Sequence, residues 1–141
     1  MKESKSNKEL IIWEDRPLTE REKELLIWLI EHKQTGTEDY LSQVDHLRVE
    51  SRCGCGCASV DFSFDGVAPD RTTGLSPFSD WYWGTEGVDL SCVFVFDRNR
   101  KLGGIEVYSV DGSRTPTELP TIDDLREFTD LDSYKPGRSK N

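Results

Sequence analysis

The sequence predicts an α+β domain in which an N-terminal helical hairpin packs on a mostly antiparallel sheet and a short helix closes the C-terminal end. Three observations carry that expectation. Apolar residues recur at helical spacing twice before residue 47, period-two alternation takes over after it, and one capped apolar turn follows Pro120. A chain of 141 residues is one domain's length. Residues 1–8 and 133–141 are polar and Lys-rich, and they read as tails around a single domain spanning 9–132.

The first helix starts after Pro17-Leu18, where Thr19 and Glu22 have the spacing of a capping box ahead of Leu25, Leu26, Trp28, Leu29 and Ile30. It is expected to end near His32-Lys33, whose positive charge suits a helix C-terminus. A second capped start at Thr37 precedes Tyr40, Leu41, Val44 and Leu47 at helical spacing, with Gly36 at the corner between the two helices. From Leu47 the period changes to two, through Leu47, Val49, Val60, Phe62 and Phe64, which predicts strands. Pro69, Gly74 and Pro77 make residues 65–80 a long loop. Val88, Leu90, Cys92, Phe94 and Phe96 then alternate as the clearest strand. The polar run Asp97 to Lys101 turns it into Ile105 to Val110, an antiparallel hairpin. Thr121, with Asp124 three residues on, caps a closing helix that carries Ile122, Leu125 and Phe128.

Charge and composition exclude several classes of function. The net charge of −9 disfavours nucleic acid and anionic membrane surfaces and favours association with a basic protein partner. The longest apolar run, Leu25 to Ile30, is far short of the roughly 20 residues a membrane-spanning helix needs. Leu10-Ile11-Ile12-Trp13 is too short and too soon acidic for a signal-peptide core, so a cytoplasmic location is expected. In that compartment Cys53, Cys55, Cys57 and Cys92 are free thiols or metal ligands rather than disulfides.

Chemistry concentrates in Arg52-Cys53-Gly54-Cys55-Gly56-Cys57. On a regular strand Cys53 and Cys57 would lie about 13 Å apart, too far for one ion. Gly54 and Gly56 permit the chain to curl, and a zinc site on Cys53, Cys55 and Cys57 would then take a fourth ligand from Cys92, His46, Asp61 or Glu106. Two other readings stand beside zinc: thiol redox chemistry, and small buried fillers in a thin strand, with a glycine bulge burying at least two of the three thiols. For nucleophilic catalysis a cysteine needs a base, and only His32 and His46 are present. The second unusual segment, Pro77 to Gly84, holds Phe78, Trp81, Tyr82 and Trp83 at the end of a loop. Aromatic residues in that setting suit a partner-binding surface, the other reading being that Trp81 and Trp83 point inward as a short strand while Tyr82 points out.

Arg52-Cys53-Gly54-Cys55-Gly56-Cys57-Ala58-Ser59-Val60-Asp61-Phe62, Gly104-Ile105-Glu106-Val107-Tyr108-Ser109 and Leu119-Pro120 ahead of Leu125 resemble the pattern of an uncharacterised family of small bacterial proteins. The resemblance implies a bacterial source and a cytoplasmic setting, and no activity. The expected function is a non-enzymatic cytoplasmic protein-interaction domain that binds a basic partner without a cofactor, immunity-type binding of a toxin being one form of it. The alternative is a zinc-binding or thiol-redox protein centred on Cys53, Cys55 and Cys57.

Overall fold

The computed structural model describes residues 11–112 and 114–128. Six strands form one sheet: β1 (Ile11–Arg16), β2 (Leu47–Cys53), β3 (Val60–Phe64), β4 (Ser76–Trp83), β5 (Ser91–Arg98) and β6 (Lys101–Ser109). Their order is β1-β2-β3-β6-β5-β4, and every neighbouring pair is antiparallel. One α-helix, α1 (Glu20–Glu31), covers one face. Its capping box forms as the spacing predicts, with the Glu22 N–H donating to Thr19 Oγ1 and the Thr19 N–H donating to Glu22 Oε1. Leu25, Leu26, Leu29 and Ile30 bury its apolar stripe in one core with Val49, Phe62, Val93, Val95, Ile105 and Val107.

The expected N-terminal helical hairpin does not exist. Residues Leu41–His46 form a 3-10 segment instead of a second α-helix, with no side-chain cap at its start. A short stretch gains little from helical propagation, and the sheet holds this one at several points. The Tyr40 hydroxyl donates to Asp97 and its ring stacks on Phe78, while Gln43 donates to the Arg100 carbonyl and accepts from the Leu102 N–H. The closing helix is likewise only a 3-10 turn, Ile122–Asp124. Thr121 Oγ1 donates to Asp124 rather than capping a backbone N–H, and the chain straightens at Leu125 so that Arg126 pairs with Tyr82. The tails at 1–8 and 133–141 lie outside the described residues.

One strand falls where the sequence predicts none, and another starts earlier than either reading of the aromatic segment allows. Ile11–Arg16 is the β1 edge, and β4 begins at Ser76 inside the expected loop. Pro77 is tolerated because β4 is an edge strand, and the register shifts between Pro77 and Ser79. That edge is closed by Gln34, which donates to the Asp80 carbonyl and accepts its N–H, and by Arg126, which exchanges both backbone bonds with Tyr82. The β5–β6 turn puts Asn99 and Arg100 at φ 56° and 70°, the left-handed pair a two-residue hairpin requires. Gly104 lies within β6. A Cβ there would lie 2.4 Å from the Val60 carbonyl oxygen and 2.8 Å from the Phe96 ring, so glycine lets the neighbouring strand and ring close in.

Arg16 ties β1 to α1 through paired 2.9 Å bonds to Glu22, and Glu14 bridges Arg16 and Arg52, both at 2.6 Å. Burial alone would push the Glu22 carboxyl up, but the bonds from Arg16 and Thr19 outweigh it and hold Glu22 below the usual carboxylate range. A carboxyl depressed in the folded state contributes stability that is complete above its unfolded value of about 4.3 and is lost as pH falls through the folded value. The urea midpoint of the native chain is therefore expected to fall more steeply between about pH 5 and pH 3 than that of Glu22→Gln. Parallel profiles would mean that the pair contributes nothing.

Candidate metal centre

The cysteine run is the loop of the β2–β3 hairpin. β2 ends at Cys53, β3 begins at Val60, and the Cys53 N–H donates to the Ser59 carbonyl at 3.2 Å to close the loop. Gly56 sits at φ +99° with nothing within 4 Å of where a Cβ would stand, so its role is conformational rather than steric. The Ala58 N–H donates to the Pro116 carbonyl at 3.0 Å, which anchors the loop to the C-terminal segment.

This curl brings Cys53, Cys55 and Cys57 together. Their sulfurs all lie within 4.8 Å of one another, against roughly 3.8 Å between thiolates on one tetrahedral ion. The backbone also points donors at sulfur: the Cys55 N–H to Cys53 Sγ and the Cys57 N–H to Cys55 Sγ, each at 3.4 Å. Cys53 and Cys55 Sγ are 2.8 Å apart. Burial and the Cys55 side chain push the Cys53 thiol up to about 12. Burial also pushes Cys55 upward, but the hydrogen bonds from Cys53 and the Cys57 N–H outweigh it and leave Cys55 below its ordinary value. The thiols are not sequestered by a bulge as expected. Cys55 is exposed, and Cys53 and Cys57 are half-buried, because the loop turns out of the sheet instead of continuing it.

The other residues considered as ligands divide clearly. Ser59 Oγ lies 3.3 Å from Cys57 Sγ and 3.2 Å from Glu106 Oε1, so Glu106 reaches the cluster through one hydroxyl. Burial and the charge of Asp61 push the Glu106 carboxyl up. Asp61 itself is paired with Arg71. Cys92, 1% exposed, belongs to β5, where burial raises its thiol to about 11. His46 precedes β2 at the end opposite Cys53, about 20 Å along the strand. There its Nδ1 bonds Asp65 at 2.7 Å and its ring stacks on Phe64. His32 bonds the Trp28 carbonyl and stacks on the Trp28 ring. The chain has no third histidine, so no imidazole stands beside a thiol and no Cys–His nucleophile is assembled.

Two clefts flank the hairpin. One of about 440 Å³ runs from Cys57 to Arg16, Arg21 and Arg52, whose side chains are engaged by Glu22, by the Leu119 carbonyl and by Glu14 respectively. The other, about 280 Å³, lies between Cys53, Asp61 and Glu106. Neither was legible in the sequence, because each joins residues from separate strands.

The aromatic segment is a strand, as the inward-pointing reading has it, rather than the end of a loop. Phe78 and Trp81 are 6% and 9% exposed and belong to the core. Phe78 stacks on Tyr40 at 4.1 Å and Trp81 meets the Trp28 ring edge-on at 4.8 Å. Trp83 packs half-buried against the same core, and Tyr82, half-buried, turns to the other face.

Fold and site together define a small antiparallel-sheet domain with a single covering helix and a three-thiol hairpin. The chain belongs to a family described as a domain of unknown function (DUF6984), whose model matches residues 15–120. That span runs from the end of β1 through β6 to Pro120 and includes the cysteine hairpin. No curated protein and no solved structure matches the chain. Among the described residues no helix is long and apolar enough to cross a membrane.

Proposed function

We propose that the Cys53–Cys57 hairpin is a thiolate site for a closed-shell thiophilic ion, zinc(II) or copper(I). The observation that carries this reading is the convergence of three sulfurs within 4.8 Å in the five-residue segment from Cys53 to Cys57. Soft thiolates select these ions over magnesium or calcium. The Cys57 N–H bond to Cys55 Sγ favours the deprotonated sulfur such an ion needs, while Cys53, held protonated by burial and the Cys55 side chain, would release its proton as the ion binds. Zinc would complete its tetrahedron with a solvent ligand on the exposed side of Cys55, whereas copper(I) is satisfied by three sulfurs. The reading fits a reducing compartment such as the bacterial cytoplasm that the resemblance implies, where free thiols persist.

The test is an anaerobic titration of the reduced, metal-free full chain with zinc(II) and, separately, copper(I), each against a chromophoric chelator. One ion per chain at sub-micromolar affinity is expected, with the three hairpin thiols protected from a thiol reagent. Binding weaker than micromolar for both ions would overturn the proposal. The 2.8 Å approach of Cys53 and Cys55 favours a second reading, a dithiol that oxidises to a disulfide. Under that reading mild peroxide treatment of metal-free protein removes two hydrogens by mass, and thiols restore them.

A further inference from the structure

The sheet face turned away from α1 carries a pattern that the metal site does not use. In antiparallel strands, residues directly opposite share a face. Asp80, Phe94 and Glu106 stand opposite one another across β4, β5 and β6, and Tyr82, Cys92 and Tyr108 form the next row on that face. One row is thus carboxylate, ring, carboxylate, and the other is two tyrosines over a small thiol. Tyr108 is 45% exposed and Asp80 is exposed, while Tyr82, Phe94 and Glu106 are half-buried. The rings contact one another at the edge of this area, Phe94 to Tyr108 at 6.2 Å and Tyr82 to Phe128 at 5.5 Å.

Asp80 and Glu106 form no ion pair among the described residues, although the arginines nearby are otherwise engaged. Arg71 is held by Asp61 and Glu50, Arg98 donates to the Thr73 carbonyl, and Arg126, which stands opposite Tyr82 at the end of the tyrosine row, donates to the Gly84 carbonyl. Asp80 precedes Tyr82 by two residues on β4, on the same face, and its negative charge acts on Tyr82, Cys92 and Tyr108 alike. The charge of Arg98 reaches Glu106 without forming an ion pair, and rings flanked by carboxyl groups that no ion pair engages suit one kind of group. A guanidinium stacks flat on an aromatic face and forks to a carboxylate at the same time, which an ammonium cannot do. The chain's net charge of −9 draws such a partner in and repels nucleic acid and anionic lipid.

We infer that this face docks an arginine-bearing segment of a basic partner protein, with guanidinium groups against Tyr108 and Phe94 and their charge met by Asp80 and Glu106. The probe is a fluorescein-labelled nona-arginine peptide, followed by anisotropy with the full chain. Saturable binding is expected, at least tenfold weaker in Asp80→Asn/Glu106→Gln and in Tyr108→Ala, and retained in Tyr108→Phe. Glu24→Gln/Glu31→Gln removes the same charge from α1 and should change affinity less than threefold. Equal losses in the two double variants would reduce the effect to net charge and overturn the inference. So would an unaffected Tyr108→Ala, absence of saturable binding, or a nona-lysine peptide binding as tightly. A dimer of this chain that Tyr108→Ala dissociates would overturn it too, by showing that the face receives a second copy.

Discussion

Replacing Trp81 by alanine is expected to lower the free energy of unfolding by about 3–5 kcal/mol, the range for truncating a large buried aromatic side chain. The indole fills the core between β4 and α1, edge-on to Trp28, and its Nε1 donates to Ser79 Oγ at 3.1 Å. Ser79 is 1% exposed, so the truncation also strips a buried hydroxyl of that donor. Trp83→Ala is the internal comparison. That side chain is half-buried at the margin of the same core and should cost less than half as much. Urea unfolding of the two variants side by side checks the order. Similar small shifts would place Trp81 outside the core and return it to the surface available for a partner.

Serine at Cys53, Cys55 or Cys57 is expected to weaken zinc(II) and copper(I) binding by more than a hundredfold for each single change. Three thiolates are the minimum for a trigonal thiolate site, and a hydroxyl is a poor replacement for a soft donor. The same changes should scarcely move the unfolding midpoint of the metal-free chain, because Cys55 is exposed and the other two are half-buried. Bound metal should stabilise the native protein by about 2.7 kcal/mol at a free concentration one hundred times its dissociation constant, and the serine variants should lose that increment. Thermal melts with and without metal separate the two effects. A native chain whose melting point ignores both ions, or serine variants that retain the increment, would count against a thiolate site. Cys92→Ser is the control, since Cys92 lies in β5 away from the hairpin.

Much of this architecture was legible. The capping box at Thr19 and Glu22 locates the start of α1 because both of its bonds are local. Alternation located β2, β3, β5 and β6, since each turns one side into the single core that α1 helps to close and the period of two survives in the residues themselves. The second helix was misread for the complementary reason. Tyr40, Val44 and Leu47 are buried at helical spacing, but they are buried against the sheet, and the side chains of Tyr40 and Gln43 hold the segment as a 3-10 turn. β4 was masked by Pro77, which forbids a central strand and permits an edge one.

The candidate site follows the same division. Residue types alone marked Cys53, Cys55 and Cys57 as the place where chemistry could sit, and the two glycines showed that the chain could bend there. The sequence also determined the acidity, the capped helix and the strands that alternate. Only the tertiary structure decided that the bend occurs, with Gly56 left-handed, Cys53 closed on Ser59 and Ala58 tied to Pro116, nearly sixty residues away. It alone set Asp80 beside Phe94 and Glu106 on one face, and gave β1 and β4 their places as edges. The physical reason is that periodicity and capping are written in neighbours a few residues apart, whereas sheet order, loop closure and the meeting of side chains from different strands rest on hydrogen bonds and burial between distant segments.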